Sequence, residues 1–308
     1  MTTRNRIPVP PWGLAVAAMI SVQLSSAFSV NLISEVGPAG TAWLRLSLGA
    51  IIFLAIARPP LRSVRRHDVP TLLGLGIATG LMTIMFLAAI ERIPLGTTVA
   101  IEFLGPLTVA AVRSRNRRAL AWPVLALVGV ILLTEPWHGQ IDVLGVLFAT
   151  IAAAGWGAYI LLTQRIGDRF TGIGALSLTV PVAAVTAAIV GIPQAAGHLS
   201  LGILVAALGV ALLMPVLPFI LELMALRRMT STAFGTLMSL EPAFGVLLGL
   251  IVLHQQPSIV QFIGIALVVF AGAASQRGGA RNPPPLAEPI TTAPAPDAVP
   301  ADRPIRDA

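Results

Sequence analysis

Ile93-Pro-Leu-Gly-Thr-Thr-Val-Ala-Ile-Glu-Phe-Leu-Gly-Pro-Leu107 is an apolar stretch with one carboxylate, Glu102, near its middle and a proline, Pro106, four residues further on. A distant stretch, Met229-Thr-Ser-Thr-Ala-Phe-Gly-Thr-Leu-Met-Ser-Leu-Glu-Pro-Ala243, carries Glu241 and Pro242 in a similar setting. An ionised carboxylate at the centre of a bilayer costs about 2.5–3.5 kcal/mol on insertion scales, so such a residue faces a protein interior or a wet cavity. The pair predicts a membrane protein with a polar transport site.

Composition agrees. Of 308 residues 56% are hydrophobic and 11% charged, too little polar surface for one soluble globule. The chain has neither cysteine nor lysine, which removes a thiolate nucleophile, a Cys-ligated metal, a Schiff-base lysine and the P-loop lysine for ATP. Pumping would then draw on an ion gradient or a partner. His67, His138, His198 and His254 fall in loops without metal spacing, and neither His-Glu-x-x-His nor Gly-x-Ser-x-Gly occurs. No cofactor and no metal are expected. An intramembrane enzyme and a non-transporting scaffold are the competing classes, and neither explains two carboxylates at mid-membrane.

Working outward, apolar runs occur at about Trp12–Ile33, Thr41–Ala57, Pro70–Ile90, Pro94–Val112, Ala119–Thr134, Ile141–Thr163, Ile173–Ile192, Leu201–Met224, Ser231–Leu253 and Ser258–Ala274. Each is read as a transmembrane helix, giving ten spans in an all-α integral membrane protein. Residues 1–11 form a short leader, and the eight prolines of the 275–308 segment predict a disordered tail. With the amino end inside, all of the twenty arginines except Arg45 and Arg92 fall in cytoplasmic segments, as the positive-inside bias requires. Both termini are expected in the cytoplasm of a bacterial inner-membrane protein. The net charge of +7 is then an orientation signal, and no nucleic-acid partner is expected.

The two glutamate stretches also hint at duplication. Leu87-Ala-Ala-Ile-Glu-Arg-Ile-Pro-Leu-Gly aligns with Leu223-Met-Ala-Leu-Arg-Arg-Met-Thr-Ser-Thr at an offset of 136, which also lays Pro106 on Pro242. Residues 12–134 and 141–274 would be two five-helix units. An odd number of spans per unit inserts the second copy upside down, the inverted-repeat device of alternating-access carriers. A channel is disfavoured on the same ground.

Pro94–Leu107, Phe234-Gly-Thr-Leu-Met-Ser-Leu-Glu-Pro-Ala243 and Thr41-Ala-Trp-Leu-Arg-Leu-Ser-Leu-Gly49 resemble the EamA branch of the drug/metabolite transporter superfamily, and within it the inner-membrane exporters of threonine and homoserine. The resemblance covers roughly residues 10–275. It implies ten helices in two inverted halves around a central cavity, and efflux of small amino acids or related metabolites by exchange for protons. Members of the superfamily also export drugs and other metabolites, so the resemblance leaves the substrate open, and the sequence is silent on oligomeric state.

Individual residues carry specific expectations. Glu102 shares a helix face with Leu95, Thr98, Val99, Gly105 and Pro106, and Pro106 leaves the Glu102 carbonyl without its helical donor. Glu102 and Glu241 are read either as an ammonium or proton site or as hydrogen-bonded structural groups. Arg45 holds a substrate carboxylate, pairs with a glutamate, or snorkels to the outer interface. Gln23 and Ser26 on the first helix, Thr98 on the fourth, and Trp156, Tyr159 and Thr163 on the sixth are candidate cavity-lining residues. Pro106 and Pro242 are candidate hinges. Glu222 is read as an interfacial partner of Arg227 and Arg228. Gly76-xxx-Gly80 and Gly245-xxx-Gly249 are read as close-packing motifs within the bundle.

Overall fold

The computed structural model describes residues 10–57, 64–113, 117–135, 137, 141–166 and 173–276. Most of the expected leader and tail, with Arg4, Arg6, Arg58, Arg62, Arg115, Arg169 and the tail arginines, lies outside the described residues. Among those that are described, all regular structure is helical. In chain order the helices are α1 (Pro11–Ile56), α2 (Val69–Ile90), α3 (Leu95–Glu102), α4 (Leu104–Arg113), α5 (Ala121–Thr134), α6 (Val143–Ile166) and α7 (Ile173–Ala195). They continue with α8 (Leu201–Ala211), α9 (Leu217–Leu226), α10 (Ser231–Met238), α11 (Glu241–Leu253) and α12 (Ile259–Gln276). Among the described residues, seven helical stretches are long and apolar enough to cross a bilayer: Pro11–Ile56, Val69–Ile90, Leu95–Arg113, Val143–Arg165, Gly174–Ala195, Leu201–Leu226 and Ala233–Leu253. Two shorter apolar helices, Ala121–Thr134 and Ile259–Ser275, accompany them.

The first two expected spans are not separate helices joined by a loop. They form α1, whose 46 residues would run about 69 Å if straight, over twice a hydrocarbon core. The element breaks at Gly37, which has φ 72° and ψ 168°, a backbone conformation that L side chains rarely adopt. Pro38 follows at the start of the second part, where its missing N–H is not needed. The nearby N–H groups of Ala39 and Gly40 are taken up by the side-chain oxygen of Gln194 on α7.

Both glutamate stretches are also interrupted, though only in their hydrogen bonding: Phe103, Ser239 and Leu240 keep right-handed helical φ/ψ, and Leu95–Arg113 and Ala233–Leu253 run on as membrane-length helical stretches. The helix pauses at Phe103 between α3 and α4, so Gly105 and Pro106 belong to the helix after the one that ends at Glu102. It pauses again at Ser239 and Leu240 between α10 and α11. Pro106 cannot donate to the carbonyl of Glu102, nor Pro242 to that of Met238, which is why each ladder fails there. A third interruption, the π segment Leu212–Val216, separates α8 from α9 around Pro215.

Packing places α1 inside the bundle, against α7, α8, α9 and α11, while α2 packs on α6 and α7 and α5 on α12. The largest core cluster joins Leu46 and Phe53 of α1 to Leu87, Leu95, Val99, Val180 and Val216. A second joins Ile101, Phe103 and Leu107 to Val130 and Val268. Large apolar side chains such as Ile77, Leu81, Val185, Ile189 and Val205 face outward, as a lipid-facing surface requires. The Gly76 motif packs within the bundle: side chains added at Gly76 and Gly80 would strike Val182 and Thr186 of α7.

Candidate functional site

Glu102 ends α3 and Glu241 begins α11, and these two helices pack directly on one another. Glycines allow the approach. A β-carbon built on Gly245 would lie 3.2 Å from Val99 and 3.4 Å from the Gly96 Cα, and one on Gly96 would collide with Val246. The crossing sets Glu241, which is buried, and Glu102, which is half-buried, in one interior region where their carboxylates repel. The Arg45 guanidinium, 3% exposed, attracts Glu102 across the same region. Among the described residues no direct ion pair closes the space between Arg45 and Glu102. Arg45 is therefore an interior residue, and the snorkelling alternative is set aside.

Among the described residues, three buried polar atoms make no hydrogen bond within the protein: Arg45 Nε, a donor, and Glu241 Oε2 and Gln23 Oε1, both acceptors. An unmade hydrogen bond at a buried group costs about 1–3 kcal/mol, more when charge is involved.

The other sequence candidates separate into two groups. Trp156 on α6 stands edge-on to Phe103, with ring centroids 6.2 Å apart and an interplanar angle of 67°, beside the break that follows Glu102. Tyr159, half-buried, lies within hydrogen-bonding reach of the Thr163 side chain and feels the charge of Glu222. The Ser26 and Thr98 hydroxyls are spent inside their own helices, donating to the carbonyls of Val22 at 3.0 Å and Pro94 at 3.2 Å. Neither is free to meet a ligand with its proton, and Thr163 is largely exposed. Pro242 is fully buried next to Glu241, and Pro106 is half-buried in the first turn of α4.

Glu222 overturns its expected role. It acts electrostatically on Glu241 and Tyr159, so it faces the interior rather than the exposed Arg227 and Arg228. Sequence reasoning also missed two glutamines that hold helix starts. Gln194 caps the second part of α1, and Gln255 accepts the Leu95 N–H of α3 at 3.2 Å.

Two pockets open elsewhere. One of about 650 Å³ lies between α1 and α8, with Asn31 and Glu35 at one end and Val210 and Leu213 at the other. The second, about 320 Å³, is lined by Arg92, Thr97, Glu135, Asp142 and Gln261. Its polar groups are partnered: Arg92 pairs with Asp142 at 3.2 Å, and Ser258 donates to Glu135 at 2.6 Å. Neither pocket is lined by Arg45, Glu102 or Glu241.

Broken membrane-length helices around unmatched interior charge define a multi-pass membrane transporter rather than an enzyme. Residues 143–274 match the EamA-like transporter family. The threonine/homoserine exporter RhtA of Salmonella typhimurium strain LT2 is 36% identical over 276 residues, covering 86% of this chain and 91% of the relative. That of Escherichia coli K12 is 34% identical over 275 residues, covering 86% and 90%. The chain belongs to the EamA-like transporter family. A solved crystal structure, 18% identical, covers 86% of this chain and 98% of its own with a TM-score of 0.60, and so shares the fold.

Proposed function

We propose that this chain is a secondary exporter of small amino acids of the threonine and homoserine type, working by proton antiport and alternating access. The observation that carries the substrate class is the convergence of Arg45 with Glu102 and Glu241 in the interior, with Arg45 Nε and Glu241 Oε2 unmatched. A zwitterion supplies what both lack: a carboxylate for the planar guanidinium fork and an ammonium for the glutamates. Relatives named as threonine/homoserine exporters support the same class.

In this reading the chain has ten spans in a bacterial cytoplasmic membrane, with both ends inside, arranged as inverted halves at 12–134 and 141–274. Recurring boundaries support the duplication. The eight-residue helices α3 and α10 begin at Leu95 and Ser231, 136 positions apart, and α2 and α9 end at Ile90 and Leu226, again 136 apart. The closing hydrogen bonds recur too, from Glu91 N–H to the Leu87 carbonyl and from Arg227 N–H to the Leu223 carbonyl. Gly37 divides α1 into its two spans. The arginine distribution supports the orientation.

Coupling follows from charge balance. While the ammonium is seated, a glutamate is neutralised by it. Once the amino acid leaves outward, a bare carboxylate in a low-dielectric interior is costly, and a proton from the outer water takes its place. Return of the protonated carrier to the inner side releases that proton to the cytoplasm.

The test is efflux of preloaded threonine and homoserine from cells expressing the chain, beside Glu102→Gln and Glu241→Gln at matched membrane levels. The proposal expects faster efflux than empty cells, collapse on dissipating the proton gradient, and loss of at least about tenfold in one variant. Efflux equal to that of empty cells would point to another metabolite or drug as cargo. Full activity in both variants would return the glutamates to a structural role.

A further inference from the structure

Gln23 is the interior polar group that the zwitterion site does not use. Its residue is 1% exposed, its Oε1 receives no hydrogen bond, and no side chain or backbone group of the described protein bonds its amide. The neighbouring hydroxyls show which way it faces. Ser21 donates to the Leu213 carbonyl at 2.7 Å and Ser25 to the Val210 carbonyl at 2.9 Å, which fixes that face of α1 on α8 and the π segment. Gln23 lies about 200° round the helix from both, at roughly 100° per residue, and so points away from α8. On that side it shares a face with Met19 and Ala27, the latter part of the main core that also holds Leu95 and Val99 of α3, the helix that ends at Glu102.

A primary amide offers one acceptor and two donors, and a hydroxyl is the small group that can engage both kinds at once. We infer that Gln23 reads the side-chain hydroxyl of the cargo, separating threonine and homoserine from aliphatic amino acids of similar size. The inference rests on the zwitterion site proposed above: Arg45 and the glutamates hold the parts common to all amino acids, and Gln23 the part that differs. A site built to bond a hydroxyl rejects the analogue that lacks it far more strongly than an apolar pocket rejects a change of size, because the buried amide would be left unpaired. Methionine has nearly the length and volume of glutamine without its hydrogen bonds, and it would remove that penalty.

The experiment is exchange in proteoliposomes, with label on threonine or valine in turn and unlabelled threonine, homoserine, 2-aminobutyrate or valine as competitor. Wild type and Gln23→Met are compared as ratios of half-inhibitory concentrations, which a merely structural role for Gln23 would not move. For wild type, 2-aminobutyrate and valine should compete at least about tenfold more weakly than threonine. In Gln23→Met the gap should close to within about twofold. A variant that keeps the wild-type ratio overturns the inference. So does a wild type in which valine competes as well as threonine, an arm that decides the matter even if the variant fails to insert. Absence of any threonine exchange by wild type would mark the failure of the exporter proposal itself, whereas threonine exchange without discrimination marks the failure of this inference alone.

Discussion

The Gln194 side chain on α7 accepts hydrogen bonds from two successive backbone N–H groups of α1, those of Ala39 at 2.7 Å and Gly40 at 3.0 Å. It does so where Gly37 breaks the helix, and its amide occupies the space a side chain at Gly37 would need. One glutamine thus performs the task of an N-cap from a distance of 155 residues along the chain. Gln194→Leu leaves both N–H groups unpaired and should cost about 1–2 kcal/mol. The readout is a lowered Tm in detergent, with Gln194→Glu, which keeps the acceptor, retaining most of the stability. Equal Tm values for wild type and the leucine variant would show that the cap contributes nothing.

Arg45 and Glu102 should behave as a coupled pair. Arg45→Met leaves Glu102 without its cation, and Glu102→Gln leaves the buried guanidinium short of a counter-charge. Removing one partner of a buried pair is worse than removing both. The double variant Arg45→Met/Glu102→Gln should therefore melt above Arg45→Met alone, with a coupling energy on the order of 1 kcal/mol in a thermal double-mutant cycle. Additive losses would mean that the two side chains do not sense each other.

The crossing of α3 on α11 makes a prediction about shape rather than charge. Gly96→Val would drive a branched side chain into Val246, in a helix pair whose approach depends on having no side chain there. Overpacking of this kind costs about 1–3 kcal/mol and shifts the backbones apart. Both Tm and transport should fall, and Gly96→Ala should fall between wild type and valine. A valine variant with wild-type transport would show that the distance between the two glutamate helices does not matter.

Much of this arrangement was legible from the residues. The cost of a carboxylate in hydrocarbon placed Glu102 and Glu241 in the interior, whereas the capping-box spacing of Ser258-Ile-Val-Gln261 was passed over. In the fold Ser258 and Gln261 exchange those bonds at 3.1 Å, where the tenth apolar run was expected to begin. What stayed hidden depends on three dimensions. Glu222 was assigned to Arg227 and Arg228 because they are near in sequence, but positions five and six apart do not share a helix face. The hydroxyls of Ser26 and Thr98, candidates for cavity lining, donate to carbonyls of their own helix, an option that spacing alone does not reveal. Pro106 and Pro242 announced trouble in their helices, while the breaks themselves fall two or three residues earlier, at Phe103 and Ser239–Leu240. Gln194 gave no local signal, since its partners lie on another helix.

The last prediction concerns acid. Asp142 stands just before α6, outside the membrane-length helices, and its Oδ1 accepts the Gly145 N–H at 2.8 Å while Oδ2 meets Arg92 at 3.2 Å. The backbone N–H of Gly145, more than the Arg92 guanidinium, holds its carboxyl below the usual aspartate range. An acid held low in the folded state contributes stability that is complete above the unfolded group's pKa, near 4, and is lost as pH falls through the lowered folded value. The contribution is thus present at neutral pH and disappears only below about pH 4. Asp142→Asn should lower Tm at pH 7, with the difference from wild type shrinking as acid protonates the wild-type carboxyl. Arg92→Gln should retain more of the stability than Asp142→Asn, since the ionised carboxylate at the start of α6, with its charge-assisted bond from the Gly145 N–H, survives it. A difference between Asp142→Asn and wild type that stays constant from pH 7 to pH 3 would show that ionisation of Asp142 has no part in holding α6.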